Sequence, residues 1–326
     1  MTDRLVYFNG EFVKEKDARV SIYDSALMFG DMVFEMTRSF NKVQFKLREH
    51  LERLYRGINI LEIPINLSID ELEKKCLETV KINDHLFDDK DEHRLLINVS
   101  RGPLGIYAPL FDNKIVPTII ISDFPLKYTV SSLSKFYDTG INLVIPSQRA
   151  IPSVYMDPKI KNRSRMWYQM ANLEVSKVEG QNNWALLLDS SGYISEGTGD
   201  NFFMVKDNII YTPEGRDILR GISRDYIFEL AKELNIHCFE KNIEPYDVYD
   251  ADEAFVCATP FCIMPVSSLN SKKIINKQKD SITNKLLSRW SKNVGLDIVK
   301  QIKDYGSQFG GLKNDAPTPY QFKTKD

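Results

Sequence analysis

A chain of 326 residues, 43% of them hydrophobic, can bury a sizeable core and is long enough for two domains. Its net charge of −2 gives no field for nucleic acid or an anionic membrane surface, and no apolar run is long enough to cross a bilayer. Four cysteines without metal-type pairing and four scattered histidines give no reason to expect a metal, and the thiols read as reduced ones in a cytoplasmic protein.

MTDRLVYFNGEF enters strand-like sequence directly and has no signal-peptide core. Asn9-Gly10 marks a hairpin turn, and VFEMTRSF with VQFKL reads as a second pair around Asn41-Lys42. REHLERLYRGINIL has Leu51, Leu54, Tyr55 and Ile58 at helical spacing. SIDELEKKCLETVKIN begins with Ser68 and Glu71, the spacing of a capping box. RLLINVSRG and KIVPTIIISDF are strands, the second apolar enough to be central. Residues 125–160 carry four prolines and weak periodicity. The expected division is a smaller α/β domain over 1–130, a connection over 131–150, a larger domain over 151–305 and a polar tail over 306–326. The larger domain opens with the helix MWYQMANLEVSKVEG and continues through the strands WALLLD, GYIS, NFFMV and IIYT. GISRDYIFELAKELNI is a helix with Ile227, Leu230, Ala231 and Leu234 as its apolar stripe, EAFVCATPFCIMPV a strand, turn and return, and 280–304 helical. Elements mixed without regular βαβ alternation predict an α+β fold.

Four features carry chemistry. In PKIKNRSRMWY, Lys159, Lys161, Arg163 and Arg165 alternate, so an extended backbone points them to one side. This is either a solvated basic edge or a lysine whose pKa is lowered among cations, as a Schiff-base lysine requires. Glu196 lies in GYISEGTGDNFFMV, a lone acid in a loop of small residues; it either binds turn amides or faces a ligand. Gly221, Ile222 and Ser223 open a helix, an ordinary start or an anion seat. Thr259 sits at a tight turn in CATPFC. A reactive lysine, a phosphate seat and a lone acid together are what pyridoxal 5′-phosphate needs.

The order of these motifs resembles the class IV, or fold type IV, pyridoxal-phosphate aminotransferases. It runs from about residue 5 to about residue 270. The block LLLDSSGYISEGTGDNFFMVKDNIIYTPEGRDILRGISRDYIFELAKEL is its most specific part, and FGDMVFEMTRSFNKVQFKLREHLERL adds an independent match. The resemblance implies the two-domain fold of D-amino-acid aminotransferases and pyridoxal 5′-phosphate as cofactor. Lys161 would form the Schiff base and move the substrate proton; family spacing favours it over Lys159. Glu196 would pair with the pyridine nitrogen. At about 4 Å and an effective dielectric of 20 that is worth on the order of 4 kcal/mol, enough to keep the nitrogen protonated. Arg53, Ile222, Ser223 and Thr259 would hold the phosphate, and Leu219 would pack under the ring. Arg165 stands near the place where family members often carry a tyrosine.

The resemblance also implies ping-pong transfer between an amino acid, foremost a branched-chain L-amino acid, and 2-oxoglutarate in a homodimer. Arg38 and Arg94 match arginines that meet the glutamate side chain in the branched-chain group. Arg101 instead matches the carboxylate-binding arginine of D-amino-acid aminotransferases. Phe34 and Pro260 complete the implied substrate side. Met36 and Phe29 depart from the branched-chain pattern. A D-amino-acid or R-amine transaminase and an aminodeoxychorismate lyase are the alternatives; Met36 replaces the threonine of the lyase branch.

Overall fold

A computed structural model describes residues 3–180, 182–274 and 281–309. The chain divides into two compact units. The first runs up to Leu126 and takes in Ile160–Arg165; the second comprises Lys127–Lys159 and the chain from Met166 onward.

The first unit is built on a five-stranded sheet in the order Glu11–Lys14, Leu5–Phe8, Thr118–Pro125, His93–Ser100, Met32–Met36. All its neighbours are antiparallel. Asn9 and Gly10 both take positive φ, which a two-residue turn between right-twisted strands demands. The VFEMTRSF stretch is not one strand: Met32–Met36 ends before a separate two-residue pairing of Ser39–Phe40 with Val43–Gln44 across Asn41-Lys42.

Alternation gives this sheet two different faces. Leu95, Ile97, Val99 and Ile121 point to one side and are fully buried with Leu51, Leu54 and Ile58 of the helix Leu47–Ile60 and Leu72 of the helix Ile69–Asn83. Ser68 and Glu71 cap the second helix reciprocally. Phe34, Met36, Arg94, Leu96, Asn98 and Phe124 share the other side, and most of them are only half-buried. Residues 160–165 extend the free edge of Met32–Met36. The Phe34 N–H donates to the Lys161 carbonyl at 2.9 Å, the Arg163 N–H to the Met32 carbonyl at 2.9 Å, and Val33 bridges Asn162.

The second unit holds a nine-stranded mixed sheet. Its path runs Ile194–Gly197, Asn183–Leu188, Ile141–Val144, Cys262–Leu269, Glu253–Ala258, Asn201–Lys206, Ile209–Thr212, Cys238–Glu240, with Lys272–Lys273 beside Cys262–Leu269. Glu196 also pairs with Asn201, which closes the first six strands of that path into a ring. Trp184, Leu186, Phe202, Met204, Val256 and Met264 fill one core. Ala185 and Leu187 face the opposite way, against Ala171 and Val175 of the helix Met166–Val175. Ile227, Leu230 and Ala231 of the helix Ile222–Glu233 are buried as their spacing predicts.

The stretch 131–150, expected to connect domains, belongs to the second unit. Leu133, Phe136, Ile141 and Leu143 lie in its core, and Ile141–Val144 is a strand of its sheet. Weak periodicity and Pro146 masked a strand of only four residues. Residues 310–326, most of the expected tail, lie outside the described residues. Among the described residues no helix is long and apolar enough to cross a membrane.

Candidate active site

Each unit gathers part of the predicted set. In the first, the extended backbone of 160–165 turns alternate side chains onto one aromatic ring, as the sequence spacing requires. Lys161 Nζ lies 4.8 Å, Arg163 Cζ 3.6 Å and Arg165 Cζ 5.0 Å from the Phe34 centroid. Arg163 donates to Asn98 Oδ1 at 2.8 and 3.2 Å, and Arg165 Nε to the Asn162 carbonyl at 2.8 Å. Lys159 does not join them. It belongs to the second unit, where its ammonium meets Asp157 at 2.8 Å and the Arg216 carbonyl at 2.8 Å.

Arg53 is held on the core side of the same sheet. Its Nε and Nη2 donate to Glu35 at 2.6 and 2.8 Å, and His50 Nδ1 lies 2.7 Å from the same carboxylate. Arg53 and His50 are three residues apart on the helix Leu47–Ile60, so one helix face delivers both. Burial alone would raise the Glu35 pKa; Arg53 and His50 outweigh it and hold the carboxyl well below the usual range. Burial lowers the His50 pKa, Glu35 partly restores it, and the charges of Arg53 and Lys161 lower it further. Glu35 escaped the sequence reading, although an acid at an inward position of VFEM was a legible sign that a buried cation would face it.

The substrate-side arginines separate. Arg94 lies on the open sheet face, with Cζ 4.8 Å from the Phe124 centroid and Nη2 against the Met36 sulfur. Burial, then repulsion from Arg163, lowers its pKa below the ordinary guanidinium value. Arg38 is 1% exposed, stacked 3.9 Å over Phe40 and donating to the Ser39 carbonyl. Arg101 donates to Asp31 at 2.8 Å and to the carbonyls of Leu61 and Glu62 at the end of the helix Leu47–Ile60. Among the described residues, Arg101 does not join Lys161, Arg163 and Arg165 on Phe34.

In the second unit Glu196 is 5% exposed at the closure of the strand ring. Tyr168 Oη donates to its Oε1 at 2.6 Å. Asn201 Nδ2 and the Leu219 N–H donate to its Oε2 at 3.1 and 3.0 Å. Asn201 also donates to the Leu219 carbonyl at 3.0 Å, so one amide fixes the acid to the segment that enters the helix Ile222–Glu233. Gly221 caps that helix. A Cβ there would fall 2.2 Å from Asn201 Oδ1, so only glycine lets the helix start this close. No side chain caps the helix start, and Ile222 and Ser223 form its first turn. Thr259 and Pro260 form the half-buried turn between Glu253–Ala258 and Cys262–Leu269, whose Phe261 carbonyl accepts from Tyr137 at 2.6 Å. Tyr168 and Asn201 were missed; each looked like an ordinary helix or strand residue.

Asp200 is a second buried acid in this cluster, and its Oδ1 has no hydrogen-bond partner. Burial, then the charge of Glu196, pushes its pKa up to about 8. The unfolded chain therefore ionises Asp200 first, and this group contributes a loss of stability as pH rises from about 4 to about 8. Asp200→Asn is expected to flatten that part of the profile and to stabilise the chain near pH 8 by at most about 5 kcal/mol. Urea unfolding of both proteins between pH 5 and 9 checks it; parallel profiles would contradict it.

The family model for amino-transferase class IV matches residues 32–269. The chain belongs to the class IV aminotransferases. A Methanocaldococcus jannaschii protein provisionally named a branched-chain-amino-acid aminotransferase is 36% identical to this aminotransferase over 287 residues, 87% of this chain and 94% of the relative. The branched-chain-amino-acid aminotransferase of Escherichia coli K12 is 31% identical over 86% of this chain and 90% of its own. Among solved structures, one of the Escherichia coli branched-chain amino acid aminotransferase superposes with a TM-score of 0.77 at 28% identity, covering 91% of this chain and 95% of that one. The expected fold type IV assignment and the aminotransferase activity both stand on these matches.

Proposed function

We propose that this aminotransferase moves the amino group of branched-chain L-amino acids to 2-oxoglutarate by a ping-pong mechanism, with pyridoxal 5′-phosphate as cofactor. The observation that carries the cofactor is the buried Glu196 carboxylate, fixed by Tyr168, Asn201 and the Leu219 N–H beside a helix start that no side chain caps. Such a donor set suits a cationic ring nitrogen, and an open helix N-terminus suits a phosphate. The residues present therefore fit the group.

When bound, the cofactor supplies a sink for the electron pair left at the substrate α-carbon. Lys161 would hold it covalently and would take up the proton from that carbon. Glu196 would face the ring nitrogen, and three donors hold its carboxylate in one orientation for that role. In the second unit Leu219 would back the ring and Ile222, Ser223 and Thr259 would hold the phosphate, a role the family resemblance also gives to Arg53 of the first. Arg53 comes to that task with its guanidinium already oriented by Glu35. Phe34 and Arg94 serve the substrate, and Pro260 borders it.

The branched-chain preference rests on the names of the relatives and on an open sheet face of mixed apolar and cationic character. Arg101, the anchor expected of a D-amino-acid enzyme, is occupied by Asp31 and two carbonyls, which counts against that alternative. A homodimer accords with the apolar side chains that the first unit exposes, Ile22, Leu27, Phe29, Ile106 and Leu110, on two segments joined by the bonds of Ser25 to Gly102 and Leu104 to Tyr23.

Visible spectra of the purified protein, recorded before and during addition of L-glutamate, test the reading. The expected result is a yellow protein whose band falls with L-glutamate and returns with the 2-oxo acid of leucine. A yellow protein indifferent to L-glutamate would redirect the assignment to D-amino acids or amines. One that stays colourless with added cofactor would refute it.

A further inference from the structure

We propose that Arg163 is a specificity residue which, together with Arg94, receives the distal carboxylate of an acidic amino acid or 2-oxo acid. The inference rests on the aminotransferase reading with Lys161 as the reacting lysine.

Phe34 and Asn98 are buried cross-strand partners on the face of the first unit's sheet that turns away from its helices. Arg163 rests on both: its guanidinium lies 3.6 Å from the Phe34 centroid and donates to Asn98 Oδ1 at 2.8 and 3.2 Å. Lys161 Nζ stands 4.8 Å from the same ring. A substrate whose nitrogen reacts at Lys161 therefore lies against a ring that also carries a guanidinium. Arg94 rises from the same sheet face, four residues along the strand from Asn98, and reaches the Met36 sulfur two residues from Phe34. The floor beneath these cations is apolar: Phe34, Met36, Leu96 and Phe124.

An aminotransferase of this type must accept an apolar and an acidic side chain in turn. The two substrates share their α-carboxylate and differ only at the far end. The apolar floor serves the branched-chain partner. Two guanidiniums that repel each other are stabilised when a carboxylate arrives near both, and planar guanidinium is the donor best matched to that anion. Asn98 fixes Arg163 before the substrate arrives, which reduces the ordering cost of binding. Arg163 is solvent-exposed, so screening limits the effect.

Holoenzyme carrying Arg163→Gln, Arg163→Lys or Asn98→Ala tests this. In Arg163→Gln, kcat/KM for L-glutamate is expected to fall roughly tenfold, mostly through KM, while that for L-leucine changes less than about twofold. Calorimetric binding of glutarate should weaken by the same factor and binding of 4-methylpentanoate should not. Arg163→Lys should restore part of the loss, and Asn98→Ala should reproduce part of it. An equal fall for glutamate and leucine would assign Arg163 to the shared α-carboxylate or to structure, and would overturn the proposal; so would no change in either. If the unaltered protein transaminated neither amino acid, the parent reading would fail. Glutarate binding, which needs no turnover, would still decide for or against Arg163.

Discussion

Lys161→Ala is expected to reduce transamination by at least about a thousandfold and to abolish the shift of the visible band with L-glutamate, because the proposed mechanism makes this lysine both the covalent tether and the proton carrier. The fold should survive. The segment 160–165 is fastened through its backbone, by the Phe34 N–H to the Lys161 carbonyl and the Arg163 N–H to the Met32 carbonyl, neither of which needs the lysine side chain. Lys159→Ala is the control. That ammonium is committed to Asp157 and to the Arg216 carbonyl, so its removal should leave kcat within about twofold, as for a surface ion pair. Steady-state kinetics and spectra of the two variants check the pair of expectations. Unchanged activity in Lys161→Ala, or a loss confined to Lys159→Ala, would reassign the reacting lysine.

Glu35→Gln should cost about 3–5 kcal/mol of stability at pH 7, the usual penalty for stripping one partner from a buried ion pair. Glu35 is fully buried, and Arg53 and His50 both converge on it within 2.8 Å. The amide keeps the shape but not the charge. It removes the Glu35 charge from the Arg53 guanidinium, itself 7% exposed. The pH dependence has a definite sign. The folded-state pKa of Glu35 is depressed, so its contribution is present above the unfolded value of about 4.3 and is lost as pH falls toward the folded one. The variant should therefore lose less stability than the parent between pH 5 and 3. Urea midpoints in phosphate-free buffer at pH 7 and pH 3 measure both effects. A difference below about 1 kcal/mol at pH 7 would show that the triad is not coupled as its geometry requires.

Local signals in this sequence were read well where one interaction dominates. Asn9-Gly10 and the Ser68–Glu71 box each fix their own backbone. The alternation of Lys161, Arg163 and Arg165 is a property of extended chain and survives in the structure as three cations on Phe34. What was not legible depends on partners distant in sequence. Nothing near Ile141–Val144 announces a strand, because its pairing comes from Asn183–Leu188 and Cys262–Leu269. Tyr168 is 28 residues from the carboxylate it holds. Arg101 matched a family position, but its partners Asp31 and the carbonyls at 61 and 62 lie 39 to 70 residues away in sequence. The resemblance could name Glu196, but not the three donors that orient it.

The six residues Ile160–Arg165 have a consequence for biosynthesis. They belong to the first unit although more than thirty residues of the second precede them in the chain. During vectorial synthesis, the sheet of the first unit is otherwise complete once Pro125 has emerged, yet the edge of Met32–Met36 stays open until residue 163 follows. An open edge invites pairing with another nascent chain. Translation truncated near residue 126 should therefore yield an aggregation-prone product, and the segment that carries Lys161 doubles as the cover that ends this hazard.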